Sequence, residues 1–203
     1  VTLRHIESDA TLRVVQRPAA KVAALHSIDD TDVLRWYARL QRLDSGMWSA
    51  AQLEDILADR APRDDYGSDV PRIDVRGVSL LKKEAEARHL RLPERAPGQE
   101  PFEVVGVPIE QPGFHILELE SPSLGASLLE EARPMYVRTG VLLTNLAVHL
   151  KQGRDDLLVW VTTLDAARSV GDAEIAVRDC NGRVLAQGRT DDTGVWHHTQ
   201  AVS

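Results

Sequence analysis

Cys180 is the single cysteine of the 203-residue chain, and a thiolate is the most direct source of nucleophilic chemistry here. A single cysteine cannot form an intramolecular disulfide, and no cysteine or histidine stands at the spacing of a zinc site. Activation of a thiol requires a neighbouring base or a helix N-terminus, and the sequence around Cys180 predicts neither. We therefore predict a structural role for Cys180.

The adjacent histidines His197 and His198 follow Trp196 and are candidates for binding a metal ion. The surrounding pattern predicts a strand, in which successive side chains point to opposite faces. Two adjacent histidines in a strand cannot both bind one ion without a bulge. We therefore predict that they are surface histidines and not metal ligands.

Four pairs of adjacent acids fall in predicted loops and could supply oxygen ligands to calcium. They are Asp29-Asp30, Asp64-Asp65, Asp155-Asp156 and Asp191-Asp192. Calcium loops bring several oxygens together from alternating positions, and none of the pairs shows that spacing. Asp191-Asp192-Thr193 comes nearest to it. Solvated turn or helix-capping acids are the favoured interpretation of all four pairs.

Two common catalytic sequence motifs are missing from the sequence. There is no Gly-x-Ser-x-Gly string of a serine hydrolase and no Gly-x-x-x-x-Gly-Lys phosphate-binding loop. We therefore expect no catalytic, cofactor-binding or metal-binding residues, and we predict that the chain is not an enzyme.

The formal net charge of the chain is -7, and its basic residues are interleaved with acids. Nucleic acids and anionic membranes are bound through clusters of lysine and arginine. The charge pattern therefore argues against a nucleic-acid partner. No run of eighteen apolar residues is present, so the sequence predicts no membrane-spanning segment.

Two helices are predicted between about Asp29 and Arg60, where apolar residues recur at spacings of three and four. Ser49 and Gln52 have the spacing of a capping box, which predicts the start of the second helix. The aromatic residues Trp36, Tyr37 and Trp48 of this segment allow two interpretations. They either form an exposed patch for a partner or, as we favour, fasten a helical insertion to its own sandwich.

Strands are predicted on both sides of this helical segment. They are short alternating segments between residues 1 and 21, residues 102–109, 114–120, 136–137, 141–149, 157–164, 173–179 and 184–186, and Val195-Trp196. Residues 114–120 alternate, with Leu117 as the exception, and His115, Glu118 and Glu120 are predicted to form the polar face. Asn181-Gly182 between two of the strands is the strongest short signal for a β-hairpin. Regularly spaced strands with turns between them predict a sandwich or a barrel.

Several uncommon strings from Pro112 to Val195 occur in one order and spacing. Among them are residues 112–122 (PGFHILELESP), 134–139 (PMYVRT), 143–149 (LTNLAVH), 158–165 (LVWVTTLD) and 190–195 (TDDTGV). Together they make the chain similar to the bacterial α2-macroglobulins. The first half of the chain contains no motif of comparable strength.

The resemblance implies a mainly β fold of tandem macroglobulin-like antiparallel β-sandwiches. We expect a first sandwich over residues 1–133, with a helical insertion at about 29–77, and a second, incomplete sandwich over 134–203. An incomplete sandwich would expose a sheet edge, so we also expect self-association of the chain.

The resemblance also implies a role as a non-catalytic scaffold segment of a periplasmic broad-spectrum protease inhibitor, or protease trap. Such proteins are often lipid-anchored to the inner membrane, and proteases are the targets of the intact protein. Many hold the protease through a thioester in a Cys-x-x-Gln string. Here Cys180 is followed in the fourth position by Arg183, so no thioester can form. The scaffold would make contacts with other domains of its parent chain. The alternative is a cell-envelope adhesion or partner-docking module on the same fold.

Overall fold

The structure is a computed structural model that describes residues 11–16, 22–28, 32–65, 69–92, 103–179 and 182–200. The chain divides into two compact units, Val1–Leu143 and Thr144–Ser203. We refer to these as the first and the second unit and describe each one separately.

The described elements of the first unit are mostly antiparallel strands. In chain order they are β1 (Thr11–Gln16), β2 (Val22–Ile28), α1 (Val33–Arg42), β3 (Met47–Ser49), α2 (Ala50–Leu57), β4 (Arg72–Asp74), a 3-10 turn (Val75–Gly77), β5 (Arg88–Arg91), β6 (Glu103–Pro108), β7 (Gly113–Ser121), α3 (Pro122–Leu128) and β8 (Met135–Leu143). The main sheet has the order β5-β2-β7-β8. The pairs β1-β6 and β3-β4 form two smaller sheets.

Strand β7 lies inside the main sheet, and each of its two faces contributes to a separate apolar cluster. Ile116 packs with the helical segment in a cluster of buried residues that includes Trp36, Leu43, Ile56 and Leu81. Leu117 points the other way and packs in a second cluster with Val107, a residue of β6. The helical segment and strand β6 thus contribute to the clusters on opposite faces of the main sheet.

The helical insertion also contains two short strands. Strand β3 begins at Met47, directly after Gly46, whose φ of 124° is accessible to glycine and strained for other residues. It pairs antiparallel with β4, so Trp48 lies opposite Ile73. Sequence periodicity predicted only a helical hairpin here, because strands of three residues are too short to show alternation.

Residues 78–81 have the mostly apolar sequence VSLL, which is compatible with a strand, but they do not form one. Their backbone amides turn instead toward a buried carboxylate, as described below. The segment that follows ends in strand β5.

The second unit contains β9 (Leu146–Gln152), β10 (Leu157–Thr163), β11 (Glu174–Arg178), β12 (Val184–Arg189) and β13 (Val195–His198). One sheet has the order β13-β10-β9, and β11 and β12 form the other. Buried Leu157, Val159 and Val161 of β10 pack with Ile175 and Val177 of β11. This antiparallel, mainly β architecture agrees with the predicted fold class.

The predicted continuous strand over residues 141–149 is interrupted at Thr144 and Asn145. The Leu146 amide donates to the Thr144 hydroxyl (3.0 Å), and the Asn145 carbonyl accepts from the Leu164 amide (2.7 Å). Strand β8 pairs with β7 along its whole length and therefore belongs to the first unit. The boundary between the units lies after Leu143, later in the chain than the expected boundary after residue 133.

No helix among the described residues has the length and apolar character that crossing a membrane requires.

Candidate functional site

Cys180 lies outside the described residues, whereas Arg183, which stands where the thioester string has glutamine, lies within them. The Arg183 amide donates to Asp179 Oδ1 (2.9 Å), and its guanidinium Nε lies 3.2 Å from Asp179 Oδ2. Arg183 therefore helps to close the connection between β11 and β12. The two strands pair antiparallel, as the hairpin signal predicted.

The structure separates the contacts of His197 and His198. In β13, His197 lies opposite Leu158, and its Nε2 is 3.3 Å from Asp156 Oδ2. His198 lies opposite buried Leu157, and its ring stacks on Trp196 at 5.4 Å between centroids. The pair does not converge on a common point. Within the described ranges, no group of three or more His, Cys, Asp or Glu side chains could hold a metal ion.

Asp191, from the acid pair nearest to a calcium loop, is bonded within its own turn. Its Oδ1 accepts from the Thr193 amide (2.9 Å), the Thr193 hydroxyl (2.7 Å) and the Val195 amide (3.0 Å). The Thr193 hydroxyl and the backbone amides lower the pKa of Asp191, with burial opposing them. These contacts identify Asp191 as a turn-stabilising residue.

The two other acid pairs that the structure describes do not form a common site with it. Asp156 contacts His197. The Asp65 carbonyl accepts from Arg72, while Asp29-Asp30 lies outside the described residues.

The aromatic residues of the helical insertion divide between core and surface. Trp36 is buried in the cluster with Ile116, and Trp48 packs against the same cluster. Tyr37 remains 53% exposed. The guanidinium of Arg39 lies 4.8 Å from the centroid of the Trp36 ring. Trp36 and Trp48 thus fasten the insertion to the sheet, which is the favoured interpretation.

The most unusual group of side chains is one that the sequence did not indicate. Glu118 of β7 and Arg138 of β8 lie opposite each other in the main sheet, and their side chains are only 3% and 4% exposed. Glu118 was predicted to lie on a polar strand face. That prediction is wrong, because the helical insertion covers this face of the sheet.

The buried Glu118 carboxylate is bound by the segment that follows the 3-10 turn. It accepts from the Ser79 hydroxyl, from the Leu80 amide (2.7 Å) and from the Leu81 amide (3.4 Å). These bonds replace the water that a carboxylate loses on burial. They also explain why this segment is not a strand, since its amides are directed at a side chain.

The Arg138 guanidinium binds backbone carbonyls of the helical insertion. Its Nη1 donates to Leu43 at the end of α1 (2.8 Å), and its Nη2 donates to Val75 (2.9 Å) and to Val78. Its Nε is 3.7 Å from Glu118 Oε2, an ionic contact too long for a hydrogen bond, and has no hydrogen-bond partner. Burial lowers the pKa of Arg138 below its ordinary value, while Glu118 and Asp44 oppose that shift.

We use the name Glu118–Arg138 cluster for the two charged side chains, the Ser79 side chain and the backbone groups that they bind. Arg138 binds backbone carbonyls of Leu43, Val75 and Val78, and Glu118 binds the Ser79 hydroxyl and the amides that follow it. The arrangement is suited to holding three segments of chain on the sheet. It is a structural site, and its chemistry is that of a buried, hydrogen-bonded ion pair.

A second charged group, centred on Asp55 of α2, secures the loop that follows this helix. Asp55 Oδ2 accepts from Arg63 Nε (2.6 Å), and Oδ1 accepts from Arg63 Nη2 (2.7 Å) and Arg60 Nε (3.0 Å). The Asp55 side chain is 6% exposed, whereas both arginines are about half exposed. Hydrogen bonds from Arg63 hold the pKa of Asp55 far below its ordinary value.

Comparison with known proteins places a family match on the second unit. Residues 143–203 match the family model described as "Bacterial alpha-2-macroglobulin MG3 domain". This segment starts later than the resemblance from Pro112 onward and coincides closely with the second unit. No curated protein matches the chain.

Two solved structures are similar to the chain as a whole. One is native alpha-2-macroglobulin from Escherichia coli spanning domains NIE-MG1, with a TM-score of 0.50 and 11% identity over 95% of this chain and 79% of that one. The other spans domains MG0-NIE-MG1, with a TM-score of 0.51 and 11% identity over 97% of this chain and 54% of that one. The chain therefore spans about half the length of the longer structure. At this identity, the similarity shows the fold alone.

The family match over residues 143–203 and the shared fold confirm that the chain is similar to the bacterial alpha-2-macroglobulins.

Proposed function

We propose that the chain is a non-catalytic scaffold segment of a periplasmic alpha-2-macroglobulin-like broad-spectrum protease inhibitor. The observation that carries this proposal is the match of residues 143–203 to the MG3 domain of that family. In this proposal the intact parent protein traps proteases. The segment supplies contacts with other domains of its parent chain and takes no part in a covalent step.

The side chains of the described residues support a scaffold role. Glu118, Arg138 and Asp55, the most buried charged groups, all bind neighbouring chain segments. The string that begins at Cys180 has arginine in its fourth position, so the segment has no thioester of its own. Capture of the protease is then a property of the parent chain.

The test compares this chain with its intact parent protein in the presence of a broad-specificity protease. Hydrolysis of a large protein substrate and of a small peptide substrate is measured in parallel. A steric trap blocks access of the large substrate and leaves the small one accessible. We expect the parent alone to suppress hydrolysis of the large substrate, and this chain at the same molar excess to suppress neither.

Two results would contradict the proposal in different ways. Inhibition by this chain alone would show that it is itself the inhibitory part. A parent that leaves both activities unchanged would exclude the trap and favour the adhesion or docking module. The proposed location is tested separately by fractionation, with the parent expected in the periplasmic fraction or, if lipid-anchored, with the inner membrane.

A further inference from the structure

Strand β9 is an edge strand of the three-stranded sheet in the second unit. Residues opposite each other on β9 and β10 include Val148 with Val161 and Leu146 with Thr163. The Val161 and Thr163 amides donate to Gly194 and Arg168, away from β9. Since hydrogen-bonding directions alternate along an antiparallel pair, the amides and carbonyls of Val148 and Leu150 and the carbonyl of Leu146 point to the edge of β9 that no described strand occupies. The Leu146 amide donates to the Thr144 hydroxyl.

The same three residues carry the most exposed apolar side chains of this strand. Leu146 is 44% exposed, Val148 62% and Leu150 61%, and we call these three residues the β9 stripe. Val148 and Leu150 lie opposite Val161 and Val159 and therefore share their face of the sheet. Val159 and Val161 are covered by β11, whereas the β9 stripe extends beyond that cover.

An edge strand with open backbone groups and an exposed apolar face is a template for a further strand. We propose that the occupant is a second copy of this chain, whose β9 pairs antiparallel with the first around a two-fold axis at Val148. The two three-stranded sheets then become one continuous sheet of six strands. The inference is independent of the proposed protease trap.

The sequence of β9 is self-complementary in this register. Val148 lies opposite Val148 of the second copy, and Leu146 lies opposite Leu150 of the second copy, so all three residues of the β9 stripe meet apolar residues. On the other face His149 meets Ala147, and Lys151 meets Asn145. No like-charged residues are opposite each other.

A shift of the axis by one residue gives a poorer match. With the two-fold axis at His149, Leu146 would lie opposite Gln152, and the two His149 side chains would lie opposite each other. The Val148 register is therefore the one favoured by side-chain pairing.

The first test is the mass of the full chain in sedimentation equilibrium over a wide range of concentrations. We expect a rise from monomer to dimer. Val148→Pro removes an amide donor that points to the open edge and leaves the β9-β10 hydrogen bonds intact, so this variant should stay monomeric. Val148→Lys should do the same. Leu164→Lys is the matched control, because Leu164 is 57% exposed and lies outside β9, and it should dimerise like the unsubstituted chain.

The second test fixes the register by disulfide formation in a Cys180→Ser background. Val148→Cys places the two thiols in a directly opposed, hydrogen-bonded pair, with about 5.5 Å between the Cα atoms, which suits a disulfide. Gln152→Cys is the control, since the two copies of this residue would be separated by about 27 Å along the strands. We expect rapid cross-linking of the first variant and none of the second.

Three outcomes would overturn the proposal. The first is a monomeric mass at all concentrations, which would leave the edge to a strand from a different partner. The second is a dimer that survives both Val148 substitutions while far-ultraviolet circular dichroism shows an unchanged fold. The third is equal cross-linking of the two cysteine variants, which would indicate random collision and not the Val148 register.

Discussion

At the scale of single residues, Glu118 and Arg138 place two opposite charges inside the first unit. A buried ion pair is costly to dehydrate, and its net contribution to stability is often small. Loss of one partner is different, because the remaining charge and its hydrogen-bond partners stay buried. Here the carbonyls of Leu43, Val75 and Val78 would also lose their donor.

We therefore expect Arg138→Met to lower the free energy of unfolding of the first unit by about 3–5 kcal/mol. This loss would be measured by urea denaturation, with unfolding of the first unit followed by hydrogen exchange in peptides from β7 and β8. Val137→Met is the matched control, since Val137 is the adjacent residue of β8 and is 49% exposed. Its effect should be within about 0.5 kcal/mol. Equal stability of the two variants would show that the cluster does not hold the insertion on the sheet.

Asp55 makes the stability of the first unit depend on pH. Its pKa in the folded protein is lowered, chiefly by hydrogen bonds from Arg63. A lowered pKa contributes stability above the unfolded-state pKa of about 3.9, and this stability is lost as the pH falls below that value. Asp55→Asn should therefore destabilise the first unit at pH 7 and have a smaller effect near pH 3.

Urea denaturation of both proteins at the two pH values checks this expectation. Glu54→Gln, at the neighbouring exposed position, controls for the general effect of removing a carboxylate from α2. The role assigned to the carboxylate would be contradicted if Asp55→Asn lowered the free energy of unfolding by the same amount at both pH values.

At the scale of elements, helix α2 begins at a complete capping box. The Gln52 amide donates to the Ser49 hydroxyl (3.2 Å), and the Ser49 amide donates to Gln52 Oε1 (3.1 Å). Ser49→Ala should lower the free energy of unfolding by about 1 kcal/mol, because two amides at the helix start depend on this pair. Ser45→Ala, in the exposed link before β3, should have no measurable effect in the same urea titration. Equal effects of the two changes would contradict the capping role.

The start of α2 could be predicted because both capping residues are close in sequence. The environment of β7 could not be predicted in the same way. Alternation assigned Glu118 to a polar face, although Ile116 and Leu117 together indicated apolar surroundings on both faces. What covers a strand depends on distant segments, here α1 and the 3-10 turn, and a local pattern does not contain that information. The candidate site was therefore missed because its two charges are brought together only by the register of β7 and β8.

At the scale of the whole molecule, the sequence predicted two β-rich units but placed their boundary earlier than the structure does. The strings on both sides of Thr144 resemble one family, so no change in composition marks the boundary. The structure sets it through pairing, since β8 completes the main sheet and β9 begins the next. The helical insertion, by contrast, was predictable because its period differs from that of the flanking strands.

The net charge of -7 affects how two copies of the chain approach each other. Two like-charged molecules repel, and salt screens this repulsion, with a Debye length of about 10 Å at 0.1 M ionic strength. The β9 stripe is apolar, so the proposed pairing contains no ion pairs that salt would weaken. We therefore expect self-association to strengthen as ionic strength is raised from a low value to about 0.5 M. Sedimentation equilibrium at both ionic strengths measures this change, with Val148→Lys as the monomeric reference. Weaker association at high salt would indicate an interface built on opposite charges and would count against the apolar β9 edge.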